Sequence, residues 1–244
     1  MSKKTALVTG SSRGIGRAIA IALAQDGYEV ILHCAGNVAK AAEAKAQIEA
    51  GGGIARIIKA DLCDLQATRE LATQAGSVDV LVLNASLQIP KPWKEISQED
   101  CLQQLNCNFA SSLLLIQMLA PAMQEKKWGR IITIGSVQER KPHPNMLIYS
   151  ASKAAQTNMV QSLALQLAPD GITVNNIAPG VIYTDRNVEA LSDAEYAKKV
   201  TATIPVGFYG EPEDCAGMVR LLCSEAGRYI TGQSIYIDGG KGVQ

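Results

Sequence analysis

The chain has 244 residues, 47% of them hydrophobic and 19% charged, and its 23 basic residues are balanced by 23 acidic ones. That length can bury a full core, and that composition excludes an intrinsically disordered chain. The zero net charge gives no global field to attract nucleic acid or an anionic membrane, so neither is expected as a partner.

Residues 4–9 form a short β-rich run that enters Gly10-Ser-Ser-Arg-Gly14-Ile-Gly16 and then an apolar-periodic helix to about Gln25. Strand, glycine turn and helix start are the setting of a phosphate-cradling loop. Glycines let the backbone turn tightly and approach a pyrophosphate, while the helix N–H groups and dipole stabilise its charge. A plain strand-to-helix turn also favours glycines, but the position directly after the first strand makes a dinucleotide the expected ligand. Residues 29–34 are a second strand, and an alanine-rich helix over 38–50 stops at Gly51-Gly52-Gly53. A third strand over 54–60 ends at Asp61, a helix follows over 64–75, and a fourth strand over 78–83 ends at Asn84. Next come a long helix over 98–124, a fifth strand over 130–135 that delivers Ser136, a helix from Tyr149, and a sixth strand over 171–178 stopped by Pro179-Gly180.

These repeated units predict an α/β fold: one domain over 1–244, with a doubly wound, mostly parallel sheet of the Rossmann type between two helix layers. Segment 181–210 breaks the rhythm, with Thr184-Asp185 capping a polar helix over 187–200. An excursion of this kind beside the strand ends reads as a substrate lid over about 184–210, or as a plain surface hairpin. A helix over 213–223 and a strand over 234–238 close the chain. Six cysteines (Cys34, Cys63, Cys101, Cys107, Cys215, Cys223) have no Cys-x-x-Cys pair, so they read as reduced thiols and no metal site is expected. With the first strand at Lys4 and the run Leu113 to Ile116 far too short for a bilayer, a cytoplasmic protein without signal peptide or anchor is expected.

The chemistry-bearing stretch is Tyr149-Ser-Ala-Ser-Lys153. Residues four apart lie on one helix face, where an ammonium can stabilise a phenolate that otherwise forms only near about pH 10. The pair is a candidate proton donor and acceptor. Surface helices produce this spacing without purpose, so its weight comes from the rest of the chain, beginning with the Ser136 hydroxyl at a strand end.

In order and in register, these pieces resemble the short-chain dehydrogenase/reductase family over essentially the whole chain. Thr9-Gly10-Ser11-Ser12-Arg13-Gly14-Ile15-Gly16 matches its cofactor motif, Thr-Gly-x-x-x-Gly-x-Gly. Asp61, followed by Leu62, matches the acid that hydrogen-bonds the adenine, and Asn84-Ala85 the tail of the Asn-Asn-Ala-Gly motif, from which Leu83 and Ser86 depart. Ser136, Tyr149 and Lys153 match the catalytic set. Pro179-Gly180, Ile182 and Thr184 match the segment at the nicotinamide. The family's helix asparagine falls at Asn106 or Asn108, and counting back from Gly129-Arg130 favours Asn108.

The resemblance implies an NAD(P)-dependent oxidoreductase in which a hydride reaches a carbonyl carbon. Tyr149 then gives a proton to the oxygen and Ser136 a hydrogen bond. Lys153 assists Tyr149 and holds the nicotinamide ribose, and Asn108 opens its helix for a water leading to Lys153. The second strand ends at Cys34-Ala35-Gly36-Asn37 with no acid for a ribose 2′-hydroxyl, while Arg13 can meet a 2′-phosphate; NADPH/NADP+ is therefore expected rather than NADH. A solvated loop cation is the plainer reading of Arg13.

Residues 129–136 and 171–175 look most like the 3-oxoacyl-thioester reductases of fatty-acid synthesis. That implies an acyl-thioester substrate and an acyl carrier protein as candidate partner, docking at Lys126 and Lys127. Favourable interaction with a helix dipole is the plainer account of those lysines. The polar, proline-rich loop 138–145 pulls instead towards a sugar, polyol or hydroxy acid, with His143 either contacting substrate or simply exposed. Pairing of the helices over 98–124 and 149–169, and of the last strands, makes a homotetramer the family's usual assembly. A non-catalytic nucleotide sensor on this fold is expected to lose Tyr149 or Lys153, and both are present. An extended-branch epimerase needs a larger C-terminal domain, and a serine hydrolase needs a triad histidine beside a Gly-x-Ser-x-Gly turn, whereas the stretch with that spacing, Gly10-Ser11-Ser12-Arg13-Gly14, reads as the cofactor turn.

Overall fold

The computed structural model describes residues 3–185, 187–188 and 192–243. Its strands are β1 (Thr5–Val8), β2 (Glu29–Cys34), β3 (Ile54–Lys59), β4 (Val80–Leu83), β5 (Gly129–Ile134), β6 (Ile172–Pro179) and β7 (Ser234–Ile237). They form one sheet in the order β3-β2-β1-β4-β5-β6-β7, and every pairing is parallel. The helices are α1 (Gly14–Gln25), α2 (Val38–Ala50), α3 (Leu65–Ala75), α4 (Gln98–Leu105), α5 (Ser111–Lys126), α6 (Leu147–Leu167), α7 (Ala194–Ala202) and α8 (Pro212–Cys223).

Alternate strand residues face opposite helix layers, so strands covered on both sides are apolar throughout. Ala6, Val8, Val30, Leu32, Val80 and Val82 pack with α1, α2 and α8. Leu7, Ile31, Leu81, Ile131 and Val174 pack with α3, α5 and α6. The three-layer fold is thus the expected one. The strand order reverses at β1, which lies between β2 and β4, and this reversal opens a crevice at the carboxyl ends of the strands.

The sequence reading is corrected in several places. The helix over 98–124 is two helices joined by a π turn, Asn106–Ala110, and it runs on to Lys126. Its 29 residues are long and apolar enough to cross a bilayer, yet half of the most apolar window is buried inside the fold. Leu115, Ile116, Leu119 and Met123 supply that packing. Helix α6 begins at Leu147, two residues before Tyr149, and β7 ends at Ile237. The helix expected over 187–200 is observed as α7, capped by Asp193, whose carboxylate accepts from the Glu195 and Tyr196 N–H groups; residues 189–191 lie outside the described residues.

Lys126 and Lys127 do not face the crevice. Lys126 Nζ donates to Asp79 at 2.8 Å, and the other Asp79 oxygen accepts from Thr5 N–H at the start of β1. Lys127, in the left-handed region at φ 52°, pairs with Asp170 at 2.5 Å. Both lysines sit at the amino-terminal edge of the sheet, opposite the crevice. Fold topology therefore sets these two residues away from this chain's own crevice, beside which the sequence reading places them.

That edge supplies a stability test. Gly171 has φ +71°, and a Cβ there would lie 2.3 Å from the Lys127 carbonyl oxygen. Left-handed strain for an L-residue costs about 1–2 kcal/mol, before any clash with fixed backbone. Gly171→Ala should destabilise by about 2 kcal/mol or more, lowering Tm by roughly 4–8 °C; an unchanged melting curve would contradict this account of the β6 entry.

Candidate active site

The crevice begins at the turn between β1 and α1. Gly10 and Gly14 have φ +64° and +54°, and a Cβ at Gly16 would fall 2.4 Å from both Asn84 Nδ2 and the Gly10 carbonyl oxygen. These positions require glycine for conformation and for close approach. Asn84 Nδ2 donates to the carbonyls of Thr9 (2.9 Å) and Gly10 (3.1 Å), and Thr9 Oγ1 accepts from the N–H groups of Asn84 and Ala85. Helix α1 has no side-chain cap and no acid in its first turn. Its amino end is therefore open to an anion, and Arg13 sits at that end. This cradle of open N–H groups, glycines and a cation fits a dinucleotide's phosphates.

Sequence reasoning missed the residue that holds the turn from below. His33, buried on β2, accepts from Gly10 N–H at Nδ1 (3.0 Å), while its Nε2 meets the Ala60 carbonyl oxygen at 3.0 Å. The geometry fits a neutral imidazole protonated at Nε2, and burial pushes the His33 pKa below its ordinary value. Nothing in the spacing of a lone strand histidine signals that role.

Ser136 leaves β5 and caps a short 3₁₀ turn (Val137–Glu139), with its Oγ accepting from Gln138 N–H at 3.2 Å. Tyr149 and Lys153 lie one turn apart on α6, with the ammonium 5.6 Å from the phenol ring centroid. Lys153 is 1% exposed, and its Nζ donates to the Ile134 carbonyl (2.7 Å) and to Gln156 Oε1 (3.0 Å). Gln156 Nε2 donates to Ser112 Oγ, which donates to the Asn108 carbonyl at 3.1 Å. A chain of side chains thus links Lys153 to Asn108. The Asn108 side chain acts elsewhere: it accepts from Leu87 N–H and donates to the Leu87 carbonyl and Ser152 Oγ. Asn106, its neighbour in the π turn, reaches the Cys63 carbonyl at 3.4 Å.

One cleft of about 1260 Å³ joins these parts. It is lined by Gly10, Ser12, Arg13, Gly14, Ile15, Gly16, Asp61, Leu62, Asn84, Ala85, Ser136, Tyr149, Pro179, Gly180, Ile182 and Thr184. Lys153 and Asn108 are buried behind its wall. Beyond Tyr149 the lining is mixed, with Gln138, Lys141, His143 and Lys241 beside Leu87, Met146 and Val200. The excursion after β6 is stitched at its neck: Tyr183 N–H donates to the Gly210 carbonyl and Gly210 N–H to the Val181 carbonyl, with the Tyr183 and Tyr209 rings stacked at 5.4 Å.

Residues 4–195 match the family model for short chain dehydrogenases. A 3-oxoacyl-(acyl-carrier-protein) reductase of Staphylococcus aureus is 37% identical over 97% of this chain and 97% of its own. An L-rhamnose 1-dehydrogenase (NAD(P)(+)) of Azotobacter vinelandii is also 37% identical, over 97% of this chain and 96% of its own. Among solved structures, the 3-oxoacyl (acyl-carrier-protein) reductase of Agrobacterium tumefaciens with NADP bound superposes at a TM-score of 0.92, with 39% identity, covering 97% of this chain and 93% of that one.

The His33 contact predicts a pH dependence. Its folded pKa is depressed, so the unfolded chain binds the extra proton first. The stabilisation is complete above the unfolded value of about 6.5 and is lost as pH falls below it. Melting curves between about pH 5 and 8 should show wild type losing its advantage over His33→Asn on acidification. A pH-independent difference between the two proteins would overturn the neutral-imidazole assignment.

Proposed function

The chain belongs to the short-chain dehydrogenase family, and we propose that it is an NADPH-dependent oxidoreductase interconverting a ketone and a secondary alcohol with Tyr149 as proton donor and acceptor. The observation that carries the reading is Tyr149 on the cleft wall, one helical turn from the buried Lys153 ammonium and sharing the cleft with Ser136. The cofactor, when bound, supplies a hydride to the carbonyl carbon. Tyr149 gives its phenolic proton to the oxygen on which charge develops, and Ser136 donates a hydrogen bond to the same oxygen. Lys153 favours the negative charge left on Tyr149, and its Gln156–Ser112–Asn108 chain holds the ammonium in register. The NADP(H) preference is supported by Arg13 at the phosphate turn and by the acid-free end of β2.

For the substrate, the lining beyond Tyr149 favours a small polar molecule: a sugar, polyol or hydroxy acid. Gln138, Lys141, His143 and Lys241 offer hydrogen bonds and positive charge where an acyl chain would want apolar walls. The second reading, a 3-oxoacyl thioester, is favoured by the 37% identity to the staphylococcal reductase. We read the excursion over about 184–210 as a substrate lid. Leu102 and Met118 on the α4–α5 arm and Leu165 on α6 leave apolar surface exposed, which supports helix pairing in a homotetramer.

Two assays run together test this. NADP+ reduction with sugars, polyols and hydroxy acids, beside NADPH oxidation with an acetoacetyl thioester, should favour the polar panel; selective turnover of the thioester would reverse that order. On whichever substrate is turned over, Tyr149→Phe should cut kcat by roughly 10²–10⁴-fold while NADPH affinity stays nearly unchanged. Near-normal turnover in the variant would sink the assignment of Tyr149.

A further inference from the structure

The start of the excursion meets the start of α2 in an ion-pair cluster that the proposed reaction does not use. Asp185 Oδ2 lies 3.8 Å from Arg13 Nη1 and is hydrogen-bonded to Lys40 Nζ. Arg13 and Asp185 line the cleft. Lys40 does not; it reaches from the first turn of α2, just after the Asn37 cap, and meets the cleft through the Asp185 carboxylate that it holds. The floor beneath, Cys34 to Asn37, carries no acid, and a Cβ added at Gly36 would meet nothing within 4 Å. One carboxylate therefore bridges two cations beside an open floor, at the end of β2.

We propose that Arg13 and Lys40 form the cradle for the cofactor's 2′-phosphate, and that Asp185 occupies this cradle in the cofactor-free chain as a stand-in anion that the phosphate displaces. The inference rests on the NADP(H) reading above. A phosphate brings more charge and more acceptor oxygens than a carboxylate, and the Arg13 fork at 3.8 Å is not yet spent on a hydrogen bond. The side chains of Arg13, Asp185 and Lys40 are 57%, 41% and 40% exposed, so their ion pairs are weak and readily exchanged. The Lys40 hydrogen bond, foremost, holds the Asp185 carboxyl below the usual carboxylate range, so the competitor is an anion at neutral pH. Displacement also acts on the lid. Asp185 follows Thr184, whose side chain packs over Gly14 and whose carbonyl accepts from Asn187 N–H at 2.8 Å. A 2′-phosphate thus frees the first residues of the excursion, and NAD+, lacking it, leaves them tied.

The test is affinity, read by fluorescence titration of the full-length protein with NADP+ and NAD+. Lys40→Ala should weaken NADP+ binding roughly tenfold and Asp185→Asn should strengthen it roughly three- to fivefold, each leaving NAD+ affinity nearly unchanged. Hydrogen exchange in the peptide carrying Asp185 should rise in wild type with 2′,5′-ADP and not with 5′-AMP. Equal effects of either variant on both cofactors, or exchange indifferent to the 2′-phosphate, would overturn the displacement while leaving the cofactor reading intact. A wild type that prefers NAD+ would overturn both.

Discussion

The close approach of Asn84 to the glycine turn is the contact on which the site depends. Where the strand order reverses, the carbonyls of Thr9 and Gly10 leave the sheet and need donors from elsewhere. The Asn84 amide supplies both, and Thr9 Oγ1 in turn accepts from the Asn84 and Ala85 N–H groups. This reciprocal stitching draws the β4 end against the turn so tightly that position 16 cannot carry a Cβ. Once the turn is fixed, α1 must point its uncapped amino end into the cleft. His33 then fixes the other side of Gly10. The open amino end of α1, the proposed phosphate site, is therefore a consequence of how β1 and β4 are tied together.

The second constraint is a buried cation. Taking an ammonium out of water costs several kcal/mol unless it is hydrogen-bonded or paired. Lys153 meets that cost in part with the Ile134 carbonyl at the end of β5 and the Gln156 amide oxygen. These bonds fix where the ammonium sits relative to Tyr149. The π turn serves the same end. By widening the helix at Asn106–Ala110, it presents the Asn108 carbonyl to Ser112 and lets the Asn108 amide clamp Leu87, on the cleft wall, to Ser152 on α6. Asn108 thereby contributes shape and anchoring, with its backbone carbonyl as the chemically linked group.

Much of this was legible in the sequence because it is local. The glycine turn announces itself by spacing after a strand, and Tyr149 with Lys153 by the helical repeat. Alternating strands and helices give the sheet class directly, since strands covered on both faces must be apolar throughout. What was illegible joins distant residues of unremarkable type. Asp185 meets Lys40, and Asp79 meets Lys126, through contacts that no local pattern encodes. Lys126 and Lys127 read as cleft residues only until the topology put them on the opposite edge. The break between α4 and α5 was hidden for another reason: Asn106–Ala110 carries no Gly or Pro, and the side-chain bonds that Asn108 makes from the widened turn reach Leu87 and Ser152, far from it in sequence.

Glu139 explains why the chemistry is easier to read than the substrate. Its carboxylate accepts from Ser234 Oγ and Tyr236 Oη on β7, Thr157 Oγ1 on α6 and Asn176 Nδ2 on β6. Burial, with the Glu139 hydrogen bond next, pushes the Tyr236 phenol up to about 12, so it remains a donor. A Cβ at Gly135 would lie 2.7 Å from both Asn176 and Glu139, so the strand end before Ser136 is packed solid. The segment carrying Ser136 is thus anchored to both strands on that side of the sheet. The loop after it hangs from this anchor and brings Lys141 and His143 to the cleft that Ser136 and Tyr149 line. A rigid anchor beside a polar surface loop is the division by which one scaffold can serve different substrates. Under the proposed function, specificity is to be sought in the cleft-lining residues of this loop and in Lys241.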